Sequence, residues 1–131
     1  DIVFGDWSSD VCSSDLLNHG LTLSGSSDAP VEIPNPLLGI KDAIFRRSKD
    51  DHMQYHLEEA LLPYEALKCY TTDANALNFI KHKGYLKKGY LADFTILKQD
   101  VLLMKEHDFD KPQVLMTVID EKIVYDALGN A

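Results

Sequence analysis

The side chain best suited to chemistry in this sequence is Asp28, which follows a short apolar run and several small residues. Residues 21–26 read Leu-Thr-Leu-Ser-Gly-Ser, and Asp28 stands just before Ala29 and Pro30. This pattern is typical of a buried strand that delivers one carboxylate to a site at its carboxyl end, where the carboxylate can ligate a metal or accept a proton. The structural alternative is an Asx-turn or a helix N-cap ahead of the proline.

Two histidines and one cysteine are the other candidates. His52 and His56 are four residues apart, so one helical face could present both to a metal, but the Glu of a His-Glu-x-x-His motif is absent. We interpret them as part of a solvated polar segment, with an unrelated enzyme that uses both as a rival hypothesis. Cys69 adjoins the inward residues of a predicted helix, which favours a buried, inert thiol over a nucleophile.

The elements that must position these residues change in type along the chain. Asn35-Pro36 has the form of an N-cap with proline at the first helical position, and apolar residues at helical spacing predict a helix to about Arg47. Further helices are predicted over residues 57–62, from Pro63 to residue 70, and, after capping side chains at 71–73, to residue 80. Strands are predicted over residues 92–97, 113–119 and 122–125, with Asp120-Glu121 as a hairpin turn.

Composition and charge limit the function classes. The 131 residues suffice for one modest domain with a core, and 45% of them are hydrophobic. The net charge of −8 argues against nucleic-acid and anionic-membrane partners, because a polyanion needs clustered Lys and Arg. No apolar run approaches the ~18 residues of a membrane span. The two cysteines make no disulfide framework, which indicates a reducing, cytoplasmic compartment.

The stretch 6–16 differs from the rest of the chain, since it has neither helical nor strand periodicity. It reads Asp-Trp-Ser-Ser-Asp-Val-Cys-Ser-Ser-Asp-Leu, and it resembles the translation of a common sequencing-adapter oligonucleotide. A natural acidic, serine-rich loop is the alternative. We exclude this stretch from fold reasoning, expect residues 1–16 to be an unstructured artefact, and expect the natural gene to continue upstream of Leu17.

Six short motifs follow one another along the chain. They are Ser26-Ser27-Asp28-Ala29-Pro30, Pro36-Leu37-Leu38-Gly39-Ile40, Ala43-Ile44-Phe45-Arg46, Glu65-Ala66-Leu67 with Tyr70-Thr71, Gly84 with Gly89, and Ala92-Asp93-Phe94. In this order they resemble the carboxyl-terminal part of the metal-dependent amidohydrolase superfamily, in its N-substituted formamide deformylase-like branch. The resemblance covers residues 17–125.

The resemblance implies an α+β fragment of a (β/α)8 TIM-barrel metallohydrolase. Residues 17–88 would supply the last barrel strand, at 21–26, and the helices that follow it. Residues 89–131 would supply the carboxyl-terminal strands of a small composite β-sandwich domain. Barrel enzymes carry their chemistry at the carboxyl ends of strands, where Asp28 falls. Without its barrel neighbours the strand at 21–26 should be poorly paired.

The resemblance also implies a mechanism. Asp28 would bind a divalent catalytic metal, expected to be zinc, take a proton from the metal's water and pass it to the leaving nitrogen. The intact enzyme, expected to form a homo-oligomer, would hydrolyse non-peptide C–N bonds of a small-molecule substrate. The family's other metal ligands lie on earlier strands, so the fragment alone is expected to be inactive. Arg46 matches an arginine of the family's helix and would touch substrate or anchor a loop.

A different class of function is the alternative. The self-contained hydrophobic pattern of the helices and of the final hairpin also fits a non-enzymatic α+β interaction module. The two hypotheses differ in the expected behaviour of the isolated chain. A module should fold cooperatively, whereas a fragment of a barrel should be loose and prone to aggregate.

Overall fold

The computed structural model describes residues 13–129 of the 131-residue chain. Four short helices precede a three-stranded antiparallel sheet, so the fold is α+β, as the sequence predicts. The helices are α1 (Ser13–Asn18), α2 (Pro36–Phe45), α3 (Pro63–Cys69) and α4 (Thr72–Leu77). The strands are β1 (Phe94–Leu97), β2 (Val114–Ile119) and β3 (Lys122–Asp126). Single 3-10 turns lie at Leu57–Glu59, Val101–Leu103 and Glu106–Asp108.

Helix α2 begins and ends as its sequence dictates. The side-chain oxygen of Asn35 accepts the N–H of Leu37 at 3.1 Å, and Pro36 occupies the first helical position, where its missing N–H costs nothing. The helix stops at Phe45, because Arg46 adopts a left-handed φ of 47° while its N–H donates to the carbonyl of Asp42. The predicted N-cap is confirmed, and the helix ends slightly before the predicted residue 47.

The junction between α3 and α4 departs from the prediction. Thr71 was expected to cap α4, but its hydroxyl donates instead to the carbonyl of Leu67, at 2.8 Å. That carbonyl lies in the last turn of α3 and also accepts the N–H of Tyr70, so the hydroxyl stabilises the end of one helix and not the start of the next. Helix α4 ends at Leu77, and Ile80 lies outside it, 46% exposed.

The segment 21–26, predicted to be a strand, belongs to no strand of the structure, so that assignment is wrong as secondary structure. A strand exists only through a ladder with a neighbour, and no described segment pairs with it. The lack of pairing itself is what the sequence predicts for these residues. Upstream, residues 13–16 form the first part of α1 although they were expected to be unstructured, and the rest of the adapter-like stretch lies outside the described residues.

The sheet has the order β1-β2-β3, with both pairs antiparallel. Phe94 lies opposite Val118, and Val118 lies opposite Ile123 on the other side. The hairpin predicted at Asp120-Glu121 is confirmed, and both turn residues have positive φ, 51° and 61°. Positive φ at both central positions defines the turn type that matches the twist of a two-stranded ribbon.

One buried cluster joins the helices to the connection between β1 and β2. Phe109 of that connection packs edge-on against Phe45 of α2, with ring centroids 6.1 Å apart. The ion pair between Arg47 Nε and Glu106 Oε1, at 2.6 Å, links the same two parts. The cluster therefore includes residues from both sides of the boundary predicted near residue 88. Its members are Ile40, Leu61, Ala66, Cys69, Val101, Met104 and Phe109.

Candidate functional site

Asp28 lies on a tight turn between the unpaired segment 21–27 and α2. Its backbone has a left-handed φ of 47°, which aspartate tolerates better than most residues. Its N–H donates to the Oγ of Ser26 at 3.2 Å, and its carbonyl accepts the N–H of Val31 at 2.9 Å. Local bonds therefore close the turn. The Asp28 side chain is exposed, and its carboxylate has no hydrogen bond or ion pair to any described residue.

This geometry separates the two interpretations of Asp28. An Asx-turn or an N-cap needs the carboxylate to accept a backbone N–H. No such bond forms within residues 13–129, and the N-cap of α2 is Asn35. The carboxylate keeps all its acceptor sites for a ligand or a proton. The Asp28 carboxylate therefore does not act as an Asx-turn or N-cap acceptor within residues 13–129.

Arg46 lies at the end of α2 and bonds to protein backbone. Its Nε donates to the carbonyl of Tyr55 at 3.0 Å, and the Tyr55 N–H in turn donates to the carbonyl of Arg46. These two bonds close the loop of residues 47–54, which also contains an isolated bridge between Arg47 and Gln54. The structure thus supports the loop-anchoring role of Arg46, and no hydrogen bond or ion pair joins Arg46 to Asp28 in the described part of the chain.

The histidine pair is not presented on a helix. His52 and His56 are exposed and have left-handed φ values of 59° and 50°, so their spacing does not place them on one helical face. His56 Nδ1 lies 3.1 Å from a carboxylate oxygen of Glu58. Both residues belong to a solvated segment, as predicted. The rival hypothesis of an enzyme built on this pair has no geometric support.

Cys69 is a buried residue at the end of α3, 5% exposed. Burial raises the pKa of its thiol above the ordinary value. A raised pKa lowers the fraction of thiolate, which is the reactive form. The predicted burial of Cys69 is confirmed. The other cysteine of the sequence, Cys12, lies outside the described residues.

The Asp28 carboxylate is chemically suited to one bond to a divalent metal, but such a site needs three or four protein ligands. No three His, Cys, Asp or Glu side chains group in a metal-binding arrangement within residues 13–129. These residues therefore do not fit a complete metal site by themselves. In the same range, no helix has the length and apolar character needed to cross a membrane.

Two cavities in the described part of the chain lie away from Asp28. A groove of about 1040 Å³ runs between the helices and the sheet, and its polar lining includes Asn75, Lys83 and Asp93. A smaller cavity of about 290 Å³ is lined by Leu17, Thr22, Glu65, Lys68 and Asp73. Neither is lined by Asp28 or Arg46. The candidate catalytic carboxylate is thus presented on an open surface of the described chain.

Asp93, a residue of the last of the six motifs, links the segment before the sheet to the hairpin. Its carboxylate accepts the N–H of Asp120 at 2.9 Å and pairs with Lys83 at 2.7 Å. The Lys83 ammonium and the Asp120 N–H hold the pKa of this carboxyl below its usual value. Asp93 therefore joins the turn-rich segment before the sheet to the β2–β3 turn.

The role of one residue near the site was not identified from the sequence. Tyr70 belongs to one of the six motifs, and its ring packs against the segment that leads to Asp28. Gly25, in that segment, has no Cβ atom and so allows the ring to approach its backbone. The identity of the group that approaches Gly25 could not be read from the pattern.

Comparisons with known proteins identify the class. The sequence matches the amidohydrolase family over residues 13–125. It is also 36% identical over 114 residues to the putative amidohydrolase YtcJ of Bacillus subtilis strain 168. That alignment covers 85% of this chain and 22% of the relative, so the chain spans less than a quarter of that relative's length. No solved structure gives a significant match. The chain belongs to the amidohydrolase family.

Proposed function

We propose that this chain is the carboxyl-terminal part of a metal-dependent amidohydrolase of the N-substituted formamide deformylase-like branch. The intact enzyme hydrolyses carbon–nitrogen bonds other than peptide bonds in a small molecule, and it acts in the cytoplasm as a homo-oligomer. Membership in the amidohydrolase family supports the hydrolase class. The observation that carries the proposal to a residue is the exposed carboxylate of Asp28, which has no partner among residues 13–129.

The proposed role of Asp28 is that of metal ligand and general base. Asp28 would hold a divalent metal, zinc in this proposal, together with ligands from earlier parts of the intact enzyme, and the bound metal would make water more acidic. Asp28 supplies one carboxylate oxygen as a ligand, takes the proton of the attacking water, and returns it to the leaving nitrogen. The Asp28 carboxylate accepts no hydrogen bond from residues 13–129. This supports the proposed role, because a carboxylate that was already paired would have to break that bond before it could bind a metal or accept a proton.

The proposal also assigns the architecture. Residues 17–88 belong to a (β/α)8 barrel, with Asp28 at the end of its last strand, and residues 89–131 belong to a small β domain. The order of helices followed by an antiparallel sheet supports this division. The remaining metal ligands come from earlier parts of the intact enzyme. A gene extended upstream in frame should therefore encode a His-x-His strand, and its absence would refute the proposal.

The test of Asp28 uses the intact enzyme obtained from the extended gene. Purified protein is assayed for release of amine from a panel of small formamides and other non-peptide amides, and its metal content is measured. The matched variants are Asp28→Asn and Asp50→Asn; Asp50 is an exposed aspartate whose carboxylate has no partner among residues 13–129. Loss of a general base costs about 10²- to 10⁴-fold in rate.

We expect Asp28→Asn to lose activity by that factor and to bind less metal, whereas Asp50→Asn should match the wild type in both. Retention of full activity by Asp28→Asn would exclude its proposed role. The 131-residue chain alone should hydrolyse none of the panel. Turnover by the chain alone would contradict the need for ligands from elsewhere.

A second candidate function is a non-enzymatic α+β interaction module. It is supported by the buried cluster, which assembles from the described residues alone. Hydrogen exchange on the isolated chain separates the two. Cooperative protection of both α3 and the β2–β3 hairpin favours the module, and uniformly weak protection favours the fragment.

A further inference from the structure

The ring of Tyr70 fills a space that two glycines leave open. A Cβ atom added at Gly25 would overlap the ring atoms Cε2 and Cζ of Tyr70. A Cβ atom added at Gly39, in α2, would overlap the hydroxyl oxygen of the same ring. The ring is therefore wedged between the segment that leads to Asp28 and helix α2, and neither glycine can carry a side chain without displacing it.

The backbone beside Tyr70 holds the same segment. The N–H of Gly25 donates to the carbonyl of Cys69 at 3.0 Å. Among the backbone hydrogen bonds of residues 22–27, this one joins the segment to α3, whereas the bond from the Glu32 N–H to the Ser27 carbonyl stays within the adjoining turn. Gly25 is thus fixed by Cys69 through a hydrogen bond and by Tyr70 through packing. Asp28 follows three residues later, on the turn described above.

Tyr70 itself is rigidly placed. It caps the end of α3, where its N–H donates to the carbonyl of Leu67, and its side chain packs against the buried cluster. Its hydroxyl makes no hydrogen bond to a described residue. Burial raises the pKa of this hydroxyl, so it stays neutral across the physiological range. Tyr70 therefore acts by shape and not by charge or proton transfer.

We propose that Tyr70 is a positioning residue for the reaction of Asp28. Its ring, held between Gly25 and Gly39, fixes the segment 25–28 against α2 and α3 and so sets where the Asp28 carboxylate stands. This inference rests on the proposed function of Asp28. A displacement of about 1 Å at a reacting group can cost on the order of 10²-fold in rate, which sets the scale of the effect.

The kinetic test uses the intact enzyme with three variants. Tyr70→Leu removes the ring and keeps an apolar side chain, and Tyr70→Phe removes only the unpartnered hydroxyl. Tyr64→Leu is the matched control, because Tyr64 is on the same helix and is 62% exposed. We expect Tyr70→Leu to lower kcat by about 10- to 100-fold with KM within about threefold. Tyr70→Phe and Tyr64→Leu should stay within about threefold of wild-type kcat.

Two further readouts distinguish positioning from general stabilisation. The acid limb of the kcat/KM profile against pH reports the pKa of the essential base, so it should shift in Tyr70→Leu and not in Tyr64→Leu. In the intact enzyme, hydrogen exchange of the Gly25 amide should be about tenfold faster in Tyr70→Leu than in Tyr64→Leu. Equal exchange in these two variants would overturn the packing role whatever the enzyme does.

The outcomes separate this inference from the function on which it rests. If Asp28→Asn is fully active, the proposed function and the inference both fail. If Asp28→Asn is inactive while Tyr70→Leu keeps wild-type kcat and acid limb, the inference alone fails. Should Tyr70→Leu not fold, Gly39→Ala replaces it, since the added methyl group displaces the ring from the other side. We then expect the Gly25 amide to exchange faster in Gly39→Ala than in the wild type. Adding Tyr70→Phe should partly reverse this increase, and unchanged exchange in Gly39→Ala refutes the inference.

Discussion

The helical region, residues 36–77, and the sheet, residues 94–126, bury their apolar side chains to different extents. In the helical region Ile40 is 2% exposed and Ala66 is fully buried. In the sheet only Val118 has an exposed fraction below a tenth, at 8%. Strand β3 leaves about half of each of Ile123, Val124 and Tyr125 exposed. The two regions contain similar kinds of residues but hold their structure by different means.

The difference teaches where the free energy of folding is concentrated. A fully buried large apolar side chain contributes about 1.5–3 kcal/mol, and the buried cluster contains seven residues, three of them from the connection between β1 and β2. The sheet strands instead depend on their backbone ladders and on the β2–β3 turn. In the intact enzyme, we therefore expect core substitutions in the helices or the connection to unfold this part of the chain, and sheet substitutions to act locally.

The largest expected effect is that of Phe109→Ala. Phe109 is 3% exposed and packs on Phe45, so its truncation should lower the free energy of unfolding by about 3–5 kcal/mol in urea titrations. The matched control is Leu103→Ala in the same connection, which is 80% exposed and should change stability by less than about 0.5 kcal/mol. Similar losses in both variants would mean that the connection does not share the core of the helices.

The next effect concerns the β2–β3 turn. The φ of 61° at Glu121 is sterically unfavourable for a residue with a Cβ atom. Glycine is the residue preferred at this position of the turn. Glu121→Gly should raise the free energy of unfolding by about 0.5–1 kcal/mol. Glu121→Ala removes the same charge but keeps the Cβ atom, so it should give no such gain. A gain from alanine equal to that from glycine would assign the effect to charge.

A smaller effect is expected for the ion pair that joins the two sides. Arg47 and Glu106 are 37% and 26% exposed at their side chains, so solvent screens their attraction. A double-mutant cycle with Arg47→Met and Glu106→Gln should give a coupling of about 0.2–1 kcal/mol that falls as salt is added. A coupling above this range, or one unaffected by salt, would show that the pair is effectively buried and that the comparison of the two regions needs revision.

Local signals in the sequence were sufficient for several elements. Asn35-Pro36 predicts the start of α2 because an N-cap and its proline act within one turn. The hairpin at Asp120-Glu121 was predicted from two β-rich runs with a short separation. Both features depend on residues that are neighbours in the chain, so neither required knowledge of the tertiary structure.

Features that depend on distant partners were not predictable in the same way. The alternating pattern of residues 21–26 resembles a strand, but whether it forms one is decided by a neighbouring strand, which the pattern cannot supply. Thr71 has the residue type of an N-cap, yet its hydroxyl donates to the Leu67 carbonyl at the end of α3, which also accepts the N–H of Tyr70. At the candidate site, Asp28 was identified from its position, whereas the packing of Tyr70 on Gly25 joins residues 45 positions apart.

The smallest expected effect is the pH dependence of stability that Asp93 contributes. Asp93 joins the sheet to the segment before it. Lys83 and the Asp120 N–H lower the pKa of Asp93 in the folded state. A lowered carboxyl pKa stabilises the fold above the unfolded-state pKa, and this contribution is lost as pH falls through the folded-state pKa. Asp93→Asn keeps an acceptor for the Asp120 N–H but loses the ion pair with Lys83.

Asp93→Asn should therefore be less stable than the wild type near neutral pH, and the two urea midpoints should converge as pH falls below the ordinary carboxyl pKa of 3.8. Asp50→Asn, at an exposed aspartate whose carboxylate has no partner among residues 13–129, provides the control. Hydrogen exchange should place the loss at the β2–β3 hairpin and leave α3 protected, because the core of the helices does not include Asp93. Loss of protection in α3 together with the hairpin would show that the sheet and the helices unfold as one unit, and that their different burial does not translate into separate stabilities.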